Sequence, residues 1–281
     1  MKLYPISTGT FKLDGGAMFG VVPKSLWNQH NPADENNLCT WAMRCLLIEN
    51  GNRLMLVDTG LGTKQTEKFF SYYQPNREEN LENSLKDLGF HPSDITDVFL
   101  THLHFDHCGG AVNLEKDGTH SIAFPQAQYW ISKGQWETSH QPNPREKASF
   151  LLENFDPIQA SGQLNLIHHA SEMNFEGVDF LTVNGHTEEM ILPLIDLNGR
   201  KVIYLADLMP SIAHINPSWV MAYDVRPLDT MKERQSLIDK AIQEDWILFF
   251  EHDAKNEAAI LSKNENGKTV STATTLSEVF G

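Results

Sequence analysis

The feature that most constrains this chain is the stretch from Thr101 to Gly110, which reads Thr-His-Leu-His-Phe-Asp-His-Cys-Gly-Gly. It directly follows an apolar run, Ile95 to Leu100, whose length and composition are typical of a buried strand. Because side chains alternate along a strand, we expect His102 and His104 to leave its end on the same side. That pair could chelate one metal ion.

The two remaining polar residues of the stretch, Asp106 and His107, are adjacent in the sequence. Adjacent side chains point in different directions, so this pair suits a second ion a short distance from the first. A lone histidine after a strand is usually a hydrogen-bonded structural residue. Crowding three imidazoles and a carboxylate together is costly unless a cation or hydrogen bonds compensate, so the spacing predicts two metal ions.

Composition restricts the class of protein further. The chain has 281 residues, of which 41% are hydrophobic and 21% charged, as in an ordinary globular protein, and we expect one domain over residues 1–281. A formal net charge of −15 opposes nucleic-acid binding. Three cysteines without Cys-x-x-Cys spacing do not indicate a disulfide framework, and no apolar run is long enough to cross a membrane. We therefore predict a cytoplasmic protein without nucleic-acid or membrane partners.

Strand and helix patterns alternate along the chain. Apolar runs separated by Asn-Gly turns predict two hairpins, at residues 41–58 and 190–205. Leucines at helical spacing predict a helix ending near Gly89, and two helices are expected within Lys133 to Phe155. The last clear strand is Trp246 to Phe250. This order predicts an α/β fold.

Further polar residues follow other predicted strands: Asp58, His186, Asp207 and His252. Asp58 either caps its own turn or orients a ligand histidine, and the residue alone does not separate the two. The other three are candidate metal ligands. Because residues at successive strand ends often meet, we expect the ligands to converge on one edge of a sheet.

Residues 17–40 form a long irregular segment that contains Met18, Phe19 and Trp27. Long loops in compact domains are often functional. This segment could cover the site and contact substrate, or it could pack against a second copy of the chain in a homodimer. Both alternatives are compatible with this sequence pattern.

The motifs resemble those of the metallo-β-lactamase superfamily. They are Thr-His-x-His-x-Asp-His-x-Gly-Gly at 101–110, Gly-His-Thr at 185–187, Ala-Asp at 206–207 and Val-Asp-Thr-Gly at 57–60, with a histidine at 252. The resemblance implies an α/β fold of the αββα sandwich type, with two mixed sheets and outer helices. It also implies a metal-dependent hydrolase.

Carried onto this sequence, the resemblance implies a ligand set for each of two divalent ions. One ion would be held by His102, His104 and His186, and the other by Asp106, His107 and His252. Asp207 would bridge both ions and, with Asp106, would be a catalytic carboxylate, while Asp58 would orient a ligand histidine. Imidazole and carboxylate ligands suit zinc, although manganese, iron and cobalt accept similar sets.

Within the superfamily, the chain looks most like the quorum-quenching N-acyl-homoserine lactone lactonases. Many of these place a tyrosine three residues after the bridging Asp, where this chain has Pro210. Tyr223 or His214 could replace it, or the metal alone could contact the substrate carbonyl. Organophosphate or aryl-ester hydrolysis on the same metals is the alternative reaction, and a diiron redox protein is a further one that the histidine at 104 disfavours.

The expected reaction is hydrolysis of a lactone or related ester. A water that bridges two divalent cations ionises readily to hydroxide, which would attack the substrate carbonyl. Asp106 would also pass a proton to the leaving group. Apolar residues, among them Phe105 and Trp27, would favour a neutral small-molecule substrate with an apolar portion.

Overall fold

The computed structural model describes residues 1–281 and contains two compact units. The first unit comprises Met1–Phe11 and Ala42–Met173, and the second comprises Lys12–Trp41 and Asn174–Gly281. The prediction of a single domain over 1–281 stays a prediction. No helix in the chain is both long enough and apolar enough to cross a bilayer.

Eight strands lie in the first two-thirds of the chain. They are β1 (Lys2–Asp14), β2 (Leu38–Asn50), β3 (Arg53–Val57), β4 (Asp97–Phe99), β5 (Val112–Leu114), β6 (His120–Ile122), β7 (Gln128–Ser132) and β8 (Leu164–Ile167). Six of them form a sheet in the order β1-β2-β3-β4-β7-β8, and β5 pairs with β6 separately. The β2–β3 hairpin is antiparallel, as its Asn-Gly turn predicted, whereas β3, β4, β7 and β8 are parallel, so this sheet is mixed.

The remaining six strands form a second mixed sheet. They are β9 (Val178–Val183), β10 (Met190–Leu197), β11 (Arg200–Tyr204), β12 (Ile247–Phe249), β13 (Ala258–Lys263) and β14 (Thr269–Thr274). Their order is β14-β13-β12-β11-β10-β9, and only β11 and β12 are parallel neighbours. The β10–β11 hairpin confirms the second Asn-Gly prediction. Strands β13 and β14 were not predicted.

Nine α-helices accompany the sheets. They are α1 (Gly15–Phe19), α2 (Lys24–Trp27), α3 (Glu67–Tyr73), α4 (Leu81–Asp87), α5 (Phe105–Cys108), α6 (Lys133–His140), α7 (Asp156–Ser161), α8 (Pro227–Gln243) and α9 (Leu276–Phe280). Short 3₁₀ helices span Pro92–Asp94, Gly109–Ala111, Leu152–Asn154, Ala170–Glu172, Ala206–Leu208 and Ile212–Ile215. Of the two helices expected within Lys133 to Phe155, only α6 is an α-helix, because Pro142 and Pro144 interrupt the pattern that follows it.

The direction of the strands determines where the candidate ligands lie. In the first sheet β3 and β4 are parallel, so Asp58 and the histidine-rich stretch follow neighbouring carboxyl ends. In the second sheet β9 and β11 are both antiparallel to β10, and β12 is parallel to β11. The carboxyl ends of β9, β11 and β12 therefore share one edge, which carries His186, Asp207 and His252.

The expectation that all ligands converge on one edge of one sheet is therefore wrong. The histidine-rich stretch follows a strand of the first sheet, and the other three residues follow strands of the second. Periodicity identifies a strand from its local pattern, but pairing between strands depends on residues far apart in the sequence. The pattern could not assign each strand to its sheet.

Each unit has its own apolar core. In the first unit Leu47, Leu56, Val98 and Tyr129 belong to one cluster of buried residues. In the second unit all of β12 and the last three residues of β11 are buried. Close packing makes these strands rigid, so the backbone of the residues directly after them begins from a fixed position.

Candidate metal centre

The histidine-rich stretch leaves β4 as a loop and then enters a short helix. Strand β4 ends at Phe99, so His102 lies beyond the strand, and His104 is the N-cap residue of α5. Strand alternation is therefore not what brings His102 and His104 together. Their ring centroids are 4.6 Å apart, and those of His102 and His107 are 3.9 Å apart. The first unit thus gathers three buried imidazoles.

Asp106 lies in the first turn of α5, beside His107. A carboxylate oxygen, Oδ2, is 3.7 Å from His107 Nε2, so the two groups approach each other rather than diverge as expected. Asp106 is only 7% exposed. A helix start tolerates a carboxylate because the helix dipole is positive there.

Asp58 connects the turn after β3 to the histidine-rich stretch. Its carboxylate accepts hydrogen bonds from Thr101 N and Thr101 Oγ1, both at 2.8 Å, and its Oδ2 lies 3.2 Å from His107 Nδ1. Asp58 has a φ of +57° and is fully buried. The side chain therefore contacts a candidate ligand histidine, and its backbone partner is Thr101 rather than a residue of its own turn. An acceptor at Nδ1 leaves His107 Nε2 free of a proton.

Close backbone packing explains the glycines that follow the motif. A Cβ at Gly109 would lie 2.1 Å from the carbonyl oxygen of Leu61, so only glycine fits there. Lys64 adds a link, because its buried ammonium donates to the carbonyl oxygens of Gly109 and Val112. Burial lowers the pKa of Lys64 to about 8. These contacts hold the end of the motif against the loop that follows Asp58.

In the second unit one carboxylate lies between two imidazoles. Asp207 Oδ2 is 3.0 Å from His186 Nε2, and Asp207 Oδ1 is 3.1 Å from His252 Nε2. All three side chains are at least nine-tenths buried. Asp207 sits in the 3₁₀ turn Ala206–Leu208, where Ala206 has a φ of +40°. The geometry gives Asp207 one imidazole for each oxygen.

A second carboxylate, Asp224, contacts the other side of the His186 ring. Its Oδ1 lies 3.0 Å from His186 Nδ1, and its Oδ2 accepts from Met221 N. Burial disfavours a positive charge on His186, but the charges and hydrogen bonds of Asp207 and Asp224 outweigh it and raise the pKa of His186 to about 10. The surroundings of His186 therefore stabilise positive charge.

The turn that carries His186 is held by helix α8. A Cβ at Gly185 would lie 2.3 Å from Thr230 N, so the turn approaches the helix as closely as a glycine permits. Glu233 accepts a hydrogen bond from Gly185 N at 3.0 Å, and the His186 carbonyl accepts one from Val225 N. These backbone contacts fix the His186 side chain relative to α8.

The donor atoms of the second unit fit a metal cation. Asp224 accepts the Nδ1 proton of His186, and a neutral His186 ring directs the lone pair of its Nε2 at the Asp207 carboxylate, 3.0 Å away. Two electron-rich atoms at this distance need a positive charge between them, either a proton or a metal cation. Imidazole and carboxylate are also the usual ligands of zinc and similar divalent ions. The residues of both units therefore fit divalent metals.

Sequence reasoning missed two buried carboxylates near the candidate ligands, Asp224 and Glu146. Glu146 is 3% exposed and its Oε1 lies 3.6 Å from His104 Nε2. Both residues belong to segments without a motif or a regular pattern. The only signal was the general rule that ligand histidines have a carboxylate behind them, which does not identify which carboxylate.

The residues proposed for substrate contact have different surroundings. Phe105 packs edge-on against Phe69 and tilted against Tyr73, with ring centroids 5.2 and 4.7 Å apart. Trp27 is 2% exposed and stacks on Phe19, in the segment 17–40, which contains the end of α1 and all of α2. Tyr223 is 37% exposed. Their contact with substrate stays a prediction.

His214 is fully buried and both of its ring nitrogens have partners. Nδ1 lies 2.8 Å from Ser211 Oγ and Nε2 lies 2.9 Å from the Met18 carbonyl oxygen, while the ring stacks on Phe19. The carbonyl can only accept, so Nε2 carries a proton, and Nδ1 can accept from the Ser211 hydroxyl, an arrangement that suits a neutral ring. Burial, with the charge of Arg234, lowers the pKa of His214 to about 3.

The low pKa of His214 predicts a loss of stability in acid. The unfolded chain binds a proton at His214 below its ordinary pKa of 6.5, whereas the folded chain stays neutral down to about 3, so protonation favours unfolding within this window. At about pH 5 the cost is about 2 kcal/mol. Denaturant unfolding of wild type and H214Q at pH 7 and pH 5 should show this extra loss only in wild type. Equal losses in both proteins would contradict a neutral His214.

Comparison with known proteins agrees with this geometry. The model for a family described as the metallo-beta-lactamase superfamily matches residues 44–252. The chain belongs to this superfamily. Its predicted fold class, the α/β metallo-β-lactamase fold with two mixed sheets, is confirmed. The predicted enzyme class, a metal-dependent hydrolase, is also confirmed.

Several known proteins resemble nearly the whole chain. An N-acyl homoserine lactonase of Bacillus cereus is 29% identical over 272 residues, which are 91% of this chain and 94% of that protein. A probable metal-dependent hydrolase from Staphylococcus aureus is 28% identical, with a TM-score of 0.86 over 97% of this chain and 96% of the other. A dizinc quorum-quenching lactonase in complex with a product has a TM-score of 0.77 over 98% of this chain and 94% of the other, at 20% identity.

Proposed function

We propose that the chain is a dinuclear metal-dependent lactonase that hydrolyses a lactone or a related carboxylic ester with an apolar portion. N-acyl-homoserine lactones are the first candidates. The observation that carries the proposal is Asp207, whose two oxygens each face an imidazole Nε2 at about 3 Å. A carboxylate in this position suits a bridge between two cations.

The ligand assignment follows the superfamily pattern. His102, His104 and His186 would hold one ion, and Asp106, His107 and His252 the other, with Asp207 shared. When bound, the two ions would supply a nucleophilic water at neutral pH and polarise the substrate carbonyl. Zinc is the first choice, since these ligands suit it. Asp58 and Asp224 would orient His107 and His186 through their Nδ1 atoms.

The chain's own residues support an apolar substrate. The aromatic rings of Phe69, Tyr73 and Phe105 pack together beside Asp106. Burial, with the negative charge of Asp106, raises the pKa of the Tyr73 phenol to about 12. Tyr73 therefore stays protonated at neutral pH and can donate a hydrogen bond next to an apolar surface. An acyl chain and a polar lactone ring need both kinds of surface.

The relatives favour the same reaction. Lactonases of Bacillus at 24 and 29% identity align with 91% of this chain. Aryl esters and phosphotriesters are the substrates of the alternative reaction on the same residues. The test must therefore compare substrate classes directly.

We expect the purified chain to contain close to two divalent ions and to lose activity after chelation. Elemental analysis should be combined with turnover of acyl-homoserine lactones, thioesters, aryl esters and phosphotriesters by the reconstituted protein. Lactones should be the preferred class, and adding back zinc, manganese or cobalt should restore the activity. Fewer than about one ion per reconstituted chain would refute the dinuclear site, whereas preference for phosphotriesters would refute only the substrate class.

A further inference from the structure

Helix α8 carries a fully buried arginine, Arg234, whose guanidinium has no contact with solvent. Its Nε donates to the carbonyl oxygen of Leu208, and its Nη1 donates to that of Trp219 at 2.7 Å. Its Nη2 has no hydrogen-bond partner. Burying a guanidinium is costly, so a chain that keeps one in its core needs the charge or the bonds for another purpose.

The two carbonyl groups belong to the segments that carry the two carboxylates around His186. Leu208 closes the 3₁₀ turn Ala206–Leu208, which contains Asp207. Trp219 lies just before Met221, whose N–H donates to Asp224 Oδ2 at 3.1 Å. One guanidinium therefore joins the turn that carries Asp207 to the segment that carries Asp224.

Charge supports the same link. Burial lowers the pKa of Arg234 to about 10, and the negative charges of Asp224 and Asp207 oppose this lowering. Arg234 therefore stays positive at neutral pH, and its charge stabilises both buried carboxylates in return. The imidazole of His186 lies between those carboxylates, 3.0 Å from an oxygen of each.

We propose that Arg234 is a positioning residue that fixes the His186 ring for metal binding by holding Asp207 and Asp224 at a set separation. The inference rests on the proposed function, since it takes His186 and Asp207 as metal ligands. Arg234 contacts neither carboxylate nor His186 through a hydrogen bond. It acts through the backbone on either side of them and through its charge.

The test compares R234K with I238A in the reconstituted holoenzyme. R234K keeps the positive charge, but the lysine ammonium lacks the planar guanidinium with which Arg234 donates to two carbonyl groups at once. Ile238 lies on the same helix, is 1% exposed, and has no polar group, so I238A is a control for general loosening of α8. Zinc affinity is measured by competition with a chromophoric chelator. The absorption spectrum of the cobalt-substituted proteins reports the coordination.

We expect R234K to bind zinc about tenfold to hundredfold more weakly than wild type, with an altered cobalt spectrum. I238A should keep the wild-type zinc affinity and cobalt spectrum, even if its melting temperature falls as much as that of R234K. Wild-type affinity and spectrum in R234K would overturn the inference and leave the proposed function intact. Equal weakening in I238A would also overturn it. A wild-type protein that binds no metal would refute the proposed function itself.

If R234K does not fold, D224N tests the same arrangement at Asp224, the carboxylate that contacts His186 Nδ1. This variant removes the carboxylate charge while both carbonyl contacts of Arg234 remain. We expect D224N to weaken zinc binding by a similar factor and to alter the cobalt spectrum, because asparagine has one acceptor oxygen in place of the two that accept from Met221 N and His186 Nδ1. Unchanged affinity and spectrum in D224N would overturn the inference.

Discussion

An Asp207→Asn substitution should lower the turnover of lactones by about a thousandfold, equivalent to about 4 kcal/mol of barrier. The reason is the position of its carboxylate, with one oxygen 3.0 Å from His186 Nε2 and the other 3.1 Å from His252 Nε2. An amide has one acceptor oxygen and an NH₂ group that cannot bind a cation. D207N should therefore hold about one ion per chain instead of two.

The matched control for D207N is D97N. Asp97 is also a buried carboxylate, 3% exposed, but it pairs with Arg53 and accepts from Trp130 Nε1 at 2.9 Å. D97N removes the same charge and should lower the melting temperature without changing metal content or turnover. Metal analysis and steady-state kinetics on both variants check this. Full metal content and normal turnover in D207N would exclude a bridging role for Asp207.

The residues of the candidate centre could be predicted where the signal is local. Three imidazoles and a carboxylate within the stretch 101–110 are visible without any structure, and so are the polar residues that end β9, β11 and β12. Both Asn-Gly pairs predicted hairpins because they favour two-residue turns, which the structure forms at Gly51-Asn52 and at Asn198-Gly199. The superfamily resemblance then supplied the order of the ligands and the fold class.

What the sequence did not reveal depends on distant contacts. Asp224 lies 38 residues from His186, and no pattern connects Arg234 to the two carbonyl groups that it bonds. Strand β14 is rich in threonine and all of its residues are partly or fully exposed, so it has no apolar run. Strand β13 begins with apolar residues at 258–261, but this run is only four residues long and ends in serine and lysine. Supporting residues of this kind are specified by the tertiary structure rather than by local sequence.

An Asp106→Asn substitution should lower lactone turnover by about a hundredfold or more while the metal content stays full. Asp106 lies beside the aromatic cluster of Phe69, Tyr73 and Phe105, at the start of α5, and it is 7% exposed. As a carboxylate it can take a proton from the attacking water and give it to the leaving alkoxide oxygen. Asparagine keeps the shape and an oxygen for the metal, but it cannot carry the proton.

Substrates with different leaving groups can distinguish two roles of Asp106, proton transfer and metal binding. A lactone expels an alkoxide, which is a strong base and needs a proton as it leaves, whereas a nitrophenyl ester expels a phenolate that needs none. If Asp106 carries the proton, D106N should lose most of its activity on lactones and little of its activity on nitrophenyl esters. Metal content is measured on the same samples. Equal losses on both substrates would assign Asp106 to metal binding and orientation alone, because a weakened metal site affects both reactions alike.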